Sequence, residues 1–236
     1  MDDEHQLGLA VEDNVAWCRA VCSAHRLVER LSETVWVNLE ASPRFYPRII
    51  SRKPGAQASV IEAIDEIRQR EAVPGWGIKD SFGDLDLEAF GFKPVVEASW
   101  YICPPQAGPA MPVDAWSLIT SESDLLAWET TWNGEEQLAV EERVFPPKLL
   151  EEEAVEFWQC GLPGTIRAGF IAHRTGGAVG LSNWFSEDKA MEADRAAIDA
   201  AAFLFSQQPI VFWSADDVAG DGVLPIGRLK VWISTE

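Results

Sequence analysis

Five stretches of this chain recur in the same order, each 131 to 133 residues after its first occurrence, and that periodicity restricts the fold more than any motif does. Gly91-Phe92-Lys93-Pro94-Val95 answers Gly222-Val223-Leu224-Pro225-Ile226. Both lead into strand-like runs that end on an aromatic and an isoleucine, Tyr101-Ile102 and Trp232-Ile233. Upstream, Val35 to Glu40 answers Ala168 to His173, and Pro47 to Arg52 answers Ala178 to Asn183. Each copy continues into an amphipathic stretch. Val60, Ile61, Ile64 and Ile67 mark one apolar stripe within 59–71, and Ile198, Ala201, Ala202 and Phe205 mark another within 190–205. Short apolar strands follow at Trp76 to Ile78 and at Ile210 to Trp213.

An early helix is shared as well. Asn14-Val15-Ala16-Trp17 resembles Leu125-Leu126-Ala127-Trp128, but only 111 residues separate them, so the second copy carries an insertion of about twenty residues. The spacing predicts a helix over Pro147 to Trp158 for that insertion, with prolines where a first helical turn tolerates them. Between the copies, residues 104–112 hold four prolines and a glycine. Proline fixes φ and lacks an N–H, so neither a helix nor a ladder continues there. The chain therefore divides into a shortened first unit (1–103), a Pro-rich linker (104–112) and a second unit (113–236).

Charge narrows the function classes. With 19 basic and 38 acidic residues the net charge is −19. A nucleic-acid partner is a polyanion that needs basic clusters, and an anionic membrane surface repels the same way; neither is expected as a partner. The acidity serves solubility, or in a functional reading favours cationic amine substrates. Met1-Asp2-Asp3-Glu4 lacks the basic start and apolar stretch of a secretory signal, and no apolar run reaches transmembrane length, so a cytoplasmic location is expected. Cys18, Cys22, Cys103 and Cys160 form no Cys-x-x-Cys pair and the three histidines are scattered, so reduced buried thiols and no metal site are expected.

The second copy reads as a leading strand (115–120), helices at 124–132 and 148–158, a hairpin (166–173 and 178–185), a long helix, a strand and a closing strand. Its hairpin, Gly169-Phe170-Ile171-Ala172-His173-Arg174-Thr175-Gly176-Gly177-Ala178-Val179-Gly180-Leu181-Ser182-Asn183-Trp184-Phe185, resembles that of the GNAT N-acetyltransferase superfamily. Gly176-Gly177 is expected to supply positive φ in its turn. The resemblance implies an α+β fold of two tandem GNAT-like units, each a mixed, mostly antiparallel sheet with helices on both faces. It also implies acetyl-CoA or another acyl-CoA as cofactor, its pantetheine arm lying along the strand that carries Leu181, Asn183 and Trp184. The family places the pyrophosphate on a Q/R-x-x-G-x-G/A loop at the start of the next helix, where free N–H groups and the helix dipole attract an anion.

Here the second copy departs from the family. Ser186 to Asp194 contains no glycine and four acids, which stabilise the helix start and repel a pyrophosphate. The first copy offers Ser51-Arg52-Lys53-Pro54-Gly55-Ala56-Gln57, in which Arg52-x-x-Gly55 matches the loop and Gln57 stands where glycine or alanine belongs. Arg52, Lys53, Gly55 and Ala56 are thus the candidate anion site, the alternative being a surface loop that caps a helix. No general base is assigned. Tyr46 and Tyr101 are candidate proton donors or packing residues, Cys103 and Cys160 lack a motif-placed histidine, and His25 and His173 read as structural. The eleven tryptophans fill core positions or line a central cleft for a small apolar or cationic ligand, with Trp36 and Trp184 on central strands. Two functions remain open: an acyl-CoA-dependent transferase acting on a small amine, and a catalytically degenerate module of the same fold that binds a small molecule or a protein partner.

Overall fold

A computed structural model describes residues 3–70, 74–105, 116–134, 139, 142–162, 165–187, 192–218, 220 and 222–235. Residues 106–112 of the Pro-rich stretch and 188–191 at the expected helix start lie outside the described residues. In chain order the elements are α1 (Asp3–Ala24), β1 (Glu29–Leu31), β2 (Val35–Asn38), β3 (Ile49–Ser51), α2 (Gln57–Arg70), β4 (Gly77–Asp80) and β5 (Phe92–Cys103). There follow β6 (Trp116–Leu118), α3 (Glu122–Asn133), β7 (Val155–Leu162), β8 (Thr165–Arg174), β9 (Val179–Ser186), α4 (Ala193–Leu204), β10 (Ile210–Ser214) and β11 (Leu224–Ser234). The fold is α+β, with parallel and antiparallel pairs in each of two compact units.

The first unit comprises Met1–Trp100, Trp213–Asp217 and Pro225–Glu236. Its strand order is β1-β2-β3-β4-β11-β5. β3 and β4 are parallel, with α2 as the crossover that a parallel pair requires, and β1–β2, β2–β3 and β4–β11 are antiparallel. Every residue of β2, β3 and β4 is buried, the mark of strands covered on both faces. Side chains alternate between those faces. Val35, Val37, Ile49 and Ile78 pack with Val60, Ala63, Ile64 and Ile67 of α2. On the other face Asn38 Nδ2 meets Cys22 Sγ at 3.7 Å and Lys79 Nζ meets Asn14 Oδ1 at 2.9 Å, both on α1.

The second unit comprises Tyr101–Phe212 and Val218–Leu224. Its order is β5-β10-β9-β8-β7-β6, with β5 contributing Tyr101–Cys103. β9 and β10 are parallel, joined by the helix α4, and β6–β7, β7–β8 and β8–β9 are antiparallel. Ala197, Ile198, Ala200 and Ala201 of α4 pack with Phe170, Ala172, Val179, Leu181, Ile210 and Phe212. The opposite face holds Trp128 of α3, fully buried and edge-on to Phe145, Phe157 and Phe185 at 5.8, 5.4 and 5.1 Å. The closing strand β11, distant in sequence, belongs to the first unit from Pro225 onward. The paired glycines Gly91 and Gly222 both take left-handed φ, 77° and 82°, which a residue with a Cβ resists.

Two local expectations are corrected. Residues 148–158 are not a helix: a 3₁₀ turn at Pro147–Glu151 gives way to β7. The insertion and its leading prolines suggested a helix, but Val155 and Phe157 alternate with Glu156 and Trp158, and eight register pairs with β8 satisfy the backbone. Neither Gly176 nor Gly177 takes positive φ. The turn is closed across Gly176 and Gly177 by Thr175 N–H donating to Ala178 O at 3.1 Å.

Candidate functional site

In the second unit β9 and β10 are paired at only two positions, Val179 with Ile210 and Gly180 with Val211. Within this unit β9 runs on to Ser186 and β10 to Phe212, and no further register pair joins them among the described residues. Two parallel strands that part in this way leave a wedge in the sheet, with backbone N–H and C=O groups directed into it.

β9 also carries a bulge. Against β8, Ile171 faces Ser182 and Gly169 faces Phe185, so two steps on one strand match three on the other. The extra residue is Asn183, whose φ of 54° is left-handed; asparagine tolerates that region better than most residues. The bulge resets the alternation of side chains. Leu181 and Trp184, three apart, both join the α4-side cluster. Phe185 instead meets Trp128 on the α3 side at 5.1 Å. Gly169 makes room there, since a Cβ on it would lie 2.3 Å from Trp128 Nε1 and 2.6 Å from Phe185 Cε1. Thus Leu181 is buried behind the wedge, Asn183 forms its bulge, and half-buried Trp184 stands edge-on to Phe212 of β10 with centroids 5.6 Å apart. Tyr101 stacks on the other side of Phe212 at 5.3 Å, and its hydroxyl accepts from Val218 N–H at 3.3 Å.

The start of α4 is acidic, with Glu192 at the cap and Asp194 in the first turn. The wedge therefore suits the amides of an extended arm, and the helix start does not suit a pyrophosphate. Burial pushes the Cys103 thiol up to about 11, away from nucleophilic use.

The first unit has the matching step. Ile49 pairs with Ile78 and Ile50 with Lys79, and among the described residues the register goes no further. Beyond it Ser81 N–H donates to Ser51 Oγ at 2.8 Å, a bridge across the parting strands. The predicted anion loop is engaged by the protein's own groups. Arg52 donates to Glu12 at 2.6 and 3.1 Å and to Ser32 O. Lys53 lies 3.5 Å from Glu33 on the surface. Gly55, at φ 71°, donates its N–H to Asp84 Oδ2 at 2.7 Å, and Ala56 is buried in the α2 core. Gln57 clasps the backbone of Asp86 from both sides, donating at 2.7 Å and accepting at 3.0 Å. Asp84 is 29 residues from Gly55 in sequence, and no local pattern singled it out. Phe212 was legible only as one residue of an apolar strand.

Lys79 is the other unusual group of this unit. Its ammonium is buried, 4.6 Å from the centroid of Trp213, and burial lowers its pKa below the ordinary 10.5. A lowered folded-state pKa means that the unfolded chain holds one more proton in the window between the two values, so stability rises with pH there. The wild type should gain stability relative to Lys79→Met as pH rises from neutrality toward 10. Urea midpoints across that range check this; a constant difference between the two proteins would refute it.

Among the described residues no group of three His, Cys, Asp or Glu side chains could hold a metal ion, and no helix is long and apolar enough to cross a membrane.

No family model matches the sequence, and no curated protein does. Solved structures do match the fold. A GCN5-related N-acetyltransferase from Kribbella flavida aligns with 96% of this chain and 96% of its own, at a TM-score of 0.62 and 14% identity. A functionally unknown conserved protein from Staphylococcus epidermidis ATCC 12228 aligns with 88% of this chain and 94% of its own, at 0.58 and 9% identity. A GNAT-family protein from Novosphingobium aromaticivorans DSM 12444 covers 93% and 96%, at 0.53 and 10% identity. At such identities the likeness is one of fold.

Proposed function

We propose, for a chain with the GCN5-related N-acetyltransferase fold, that it is an acyl-CoA-dependent N-acyltransferase acting on a small amine, with its donor site in the wedge of the second unit. The observation that carries the reading is the early parting of β9 and β10 together with the left-handed bulge at Asn183. In this reading the backbone from Leu181 to Trp184 holds the amides of the pantetheine arm, and Phe212 and Trp184 wall the thioester end. The bound thioester supplies an activated acyl group. The chain's own part is to align it, exclude water from it with aromatic rings, and draw in a cationic acceptor through its net charge of −19. The first unit, with Gly55 N–H engaged by Asp84, serves as scaffold in this reading.

A second reading is a module of this fold that binds a small molecule or partner without catalysis. The acids at the start of α4 favour it.

Thermal denaturation with CoA and acetyl-CoA tests the first reading. A ligand at a hundred times its Kd adds about 2.7 kcal/mol, which raises Tm by roughly 5–10 °C in a chain of this size. Asn183→Ile disfavours the left-handed bulge, because a β-branched residue resists that φ, and should at least halve the rise. No rise at millimolar CoA in the wild type overturns the proposal. A rise without acyl transfer to any of a panel of amines moves the protein to the second reading.

A further inference from the structure

The α1 side of the first unit holds a buried cation that its surroundings do not neutralise. Lys79 of β4 is 5% exposed, and its ammonium has three N–H donors. One of them goes to Asn14 Oδ1 at 2.9 Å, and the Trp213 ring covers another side, its centroid 4.6 Å from Nζ. Among the described residues no carboxylate stands within ion-pair distance of Nζ. The titratable group whose charge reaches it is the Cys18 thiol of α1, which burial pushes up to about 11 and so keeps neutral; Asp13 of α1 acts on Cys18. The strand partners of Lys79, Ile50 of β3 and Val231 of β11, carry no charge. Two residues along, Ser81 leaves a second polar group open. Its N–H donates to Ser51 Oγ at 2.8 Å and its carbonyl accepts from Trp100 Nε1 at 2.9 Å. Its own Oγ is buried without a hydrogen-bond partner. Residues two apart on an extended chain face the same side, so ammonium and hydroxyl both face α1. All of these groups, Trp213 included, belong to the first unit.

We propose that Lys79 and Ser81 form a binding site for one small monovalent anion, of the size of chloride or formate, on the α1 side of β4 beneath the Trp213 ring. The physical reason is compensation. An unpaired charge in a protein interior is costly, and a buried hydroxyl without a partner adds to that cost. A water molecule satisfies the hydroxyl, but only an anion also offsets the charge. In a chain of net charge −19 an anion binds only where a cation is left unmatched. The loop at Arg52 is no such place, because Glu12 already pairs with it. The site needs no acyl-CoA and stands apart from the donor-site reading of the second unit. Burial lowers the pKa of Lys79 when the site is empty, so above that pKa the anion must arrive together with a proton, and its affinity falls as pH rises.

The test is thermal denaturation of the full chain at fixed ionic strength, with sodium gluconate, a bulky anion, replaced stepwise by sodium chloride, bromide, formate or acetate. The small anions should raise the wild-type Tm saturably by about 3–5 °C. A response to halides alone identifies a halide site, and a response to formate identifies a carboxylate site. The apparent affinity should weaken by up to about tenfold per pH unit as pH rises from neutrality toward 10.5, the ordinary value for lysine. Lys79→Met should abolish the rise, and Ser81→Ala should weaken the affinity at least about threefold. Line broadening in the chloride NMR spectrum, displaced by bromide, reads the same site without heating the protein. A wild type with no saturable response to any of these anions overturns the inference. So does a response that persists in Lys79→Met, that is unaltered in Ser81→Ala, or that stays constant across the pH range.

Discussion

Deleting residues 224–236 should leave the first unit unable to fold, although those residues follow it by more than a hundred positions. β4 would lose its antiparallel partner, which is paired from Gly77 with Ile233 to Asp80 with Lys230. Trp232, 4% exposed, would leave the α2-side core, which it shares with Val35, Ile49, Ile64 and Ile78. Further backbone bonds would go too: Gly75 N–H to Ser234 O at 3.0 Å, Ser234 N–H to Trp76 O at 2.9 Å and Thr235 N–H to Gly91 O at 2.9 Å. Exposing the row of buried strand donors and acceptors that remains is prohibitive. The truncated chain should show no cooperative unfolding of this unit in urea, and should bind a dye that senses exposed apolar surface. Trp232→Ala is the graded version, costing about 3–5 kcal/mol. A truncated chain that unfolds cooperatively with native helix content would refute the assignment of β11.

Trp128→Ala should cost the second unit about 3–5 kcal/mol, the upper range for an aromatic truncated in a core, and lower Tm by roughly 10 °C. The indole is fully buried, touches the rings of Trp132, Phe145, Phe157 and Phe185, and donates Nε1 to Trp158 O at 3.0 Å. Removing it creates a cavity among edge-on rings that cannot collapse together, and it leaves the Trp158 carbonyl short of a partner. Glu129, one residue on and also fully buried, accepts Val144 N–H at 2.5 Å, Phe145 N–H at 3.0 Å and Arg143 Nε–H at 3.1 Å, which anchors α3 over the same cluster. Because Phe185 leans on Trp128, the register that sets the Asn183 bulge should loosen as well. CoA-induced stabilisation should therefore fall along with Tm. Loss of less than 1 kcal/mol would mean that the cluster repacks freely around the missing indole, and would refute this expectation.

Much of the framework was legible. Strands near 35–37, 49–50 and 210–213 were readable because Val35-Trp36-Val37, Ile49-Ile50 and Ile210-Val211-Phe212-Trp213 are continuous apolar runs, whereas only Trp76 to Ile78 was read at β4, since its Lys79 and Asp80 are polar residues buried in the sheet. α2 and α4 were readable from one apolar stripe each. Residues 148–158 were misread because a strand with apolar groups on both faces and a few acids has no clean period. The donor-site candidates Leu181, Asn183 and Trp184 were found through the hairpin, but the bulge that sorts them was not. A bulge is set by the register of the neighbouring strand, and Asn183 alone does not encode it.

What the sequence determined by itself is local: where the backbone is extended or helical, which stripe is apolar, and that Gly91 and Gly222 turn the same way. What only the tertiary structure decided is which distant groups complete each unit. β11 crosses back to close the first sheet, and Asp84 takes the N–H of Gly55. Phe212 is gripped between Tyr101 and Trp184. Each of these is a contact between residues far apart in the chain, selected by burial and hydrogen-bond satisfaction over the whole fold, and no period along one segment carries that information.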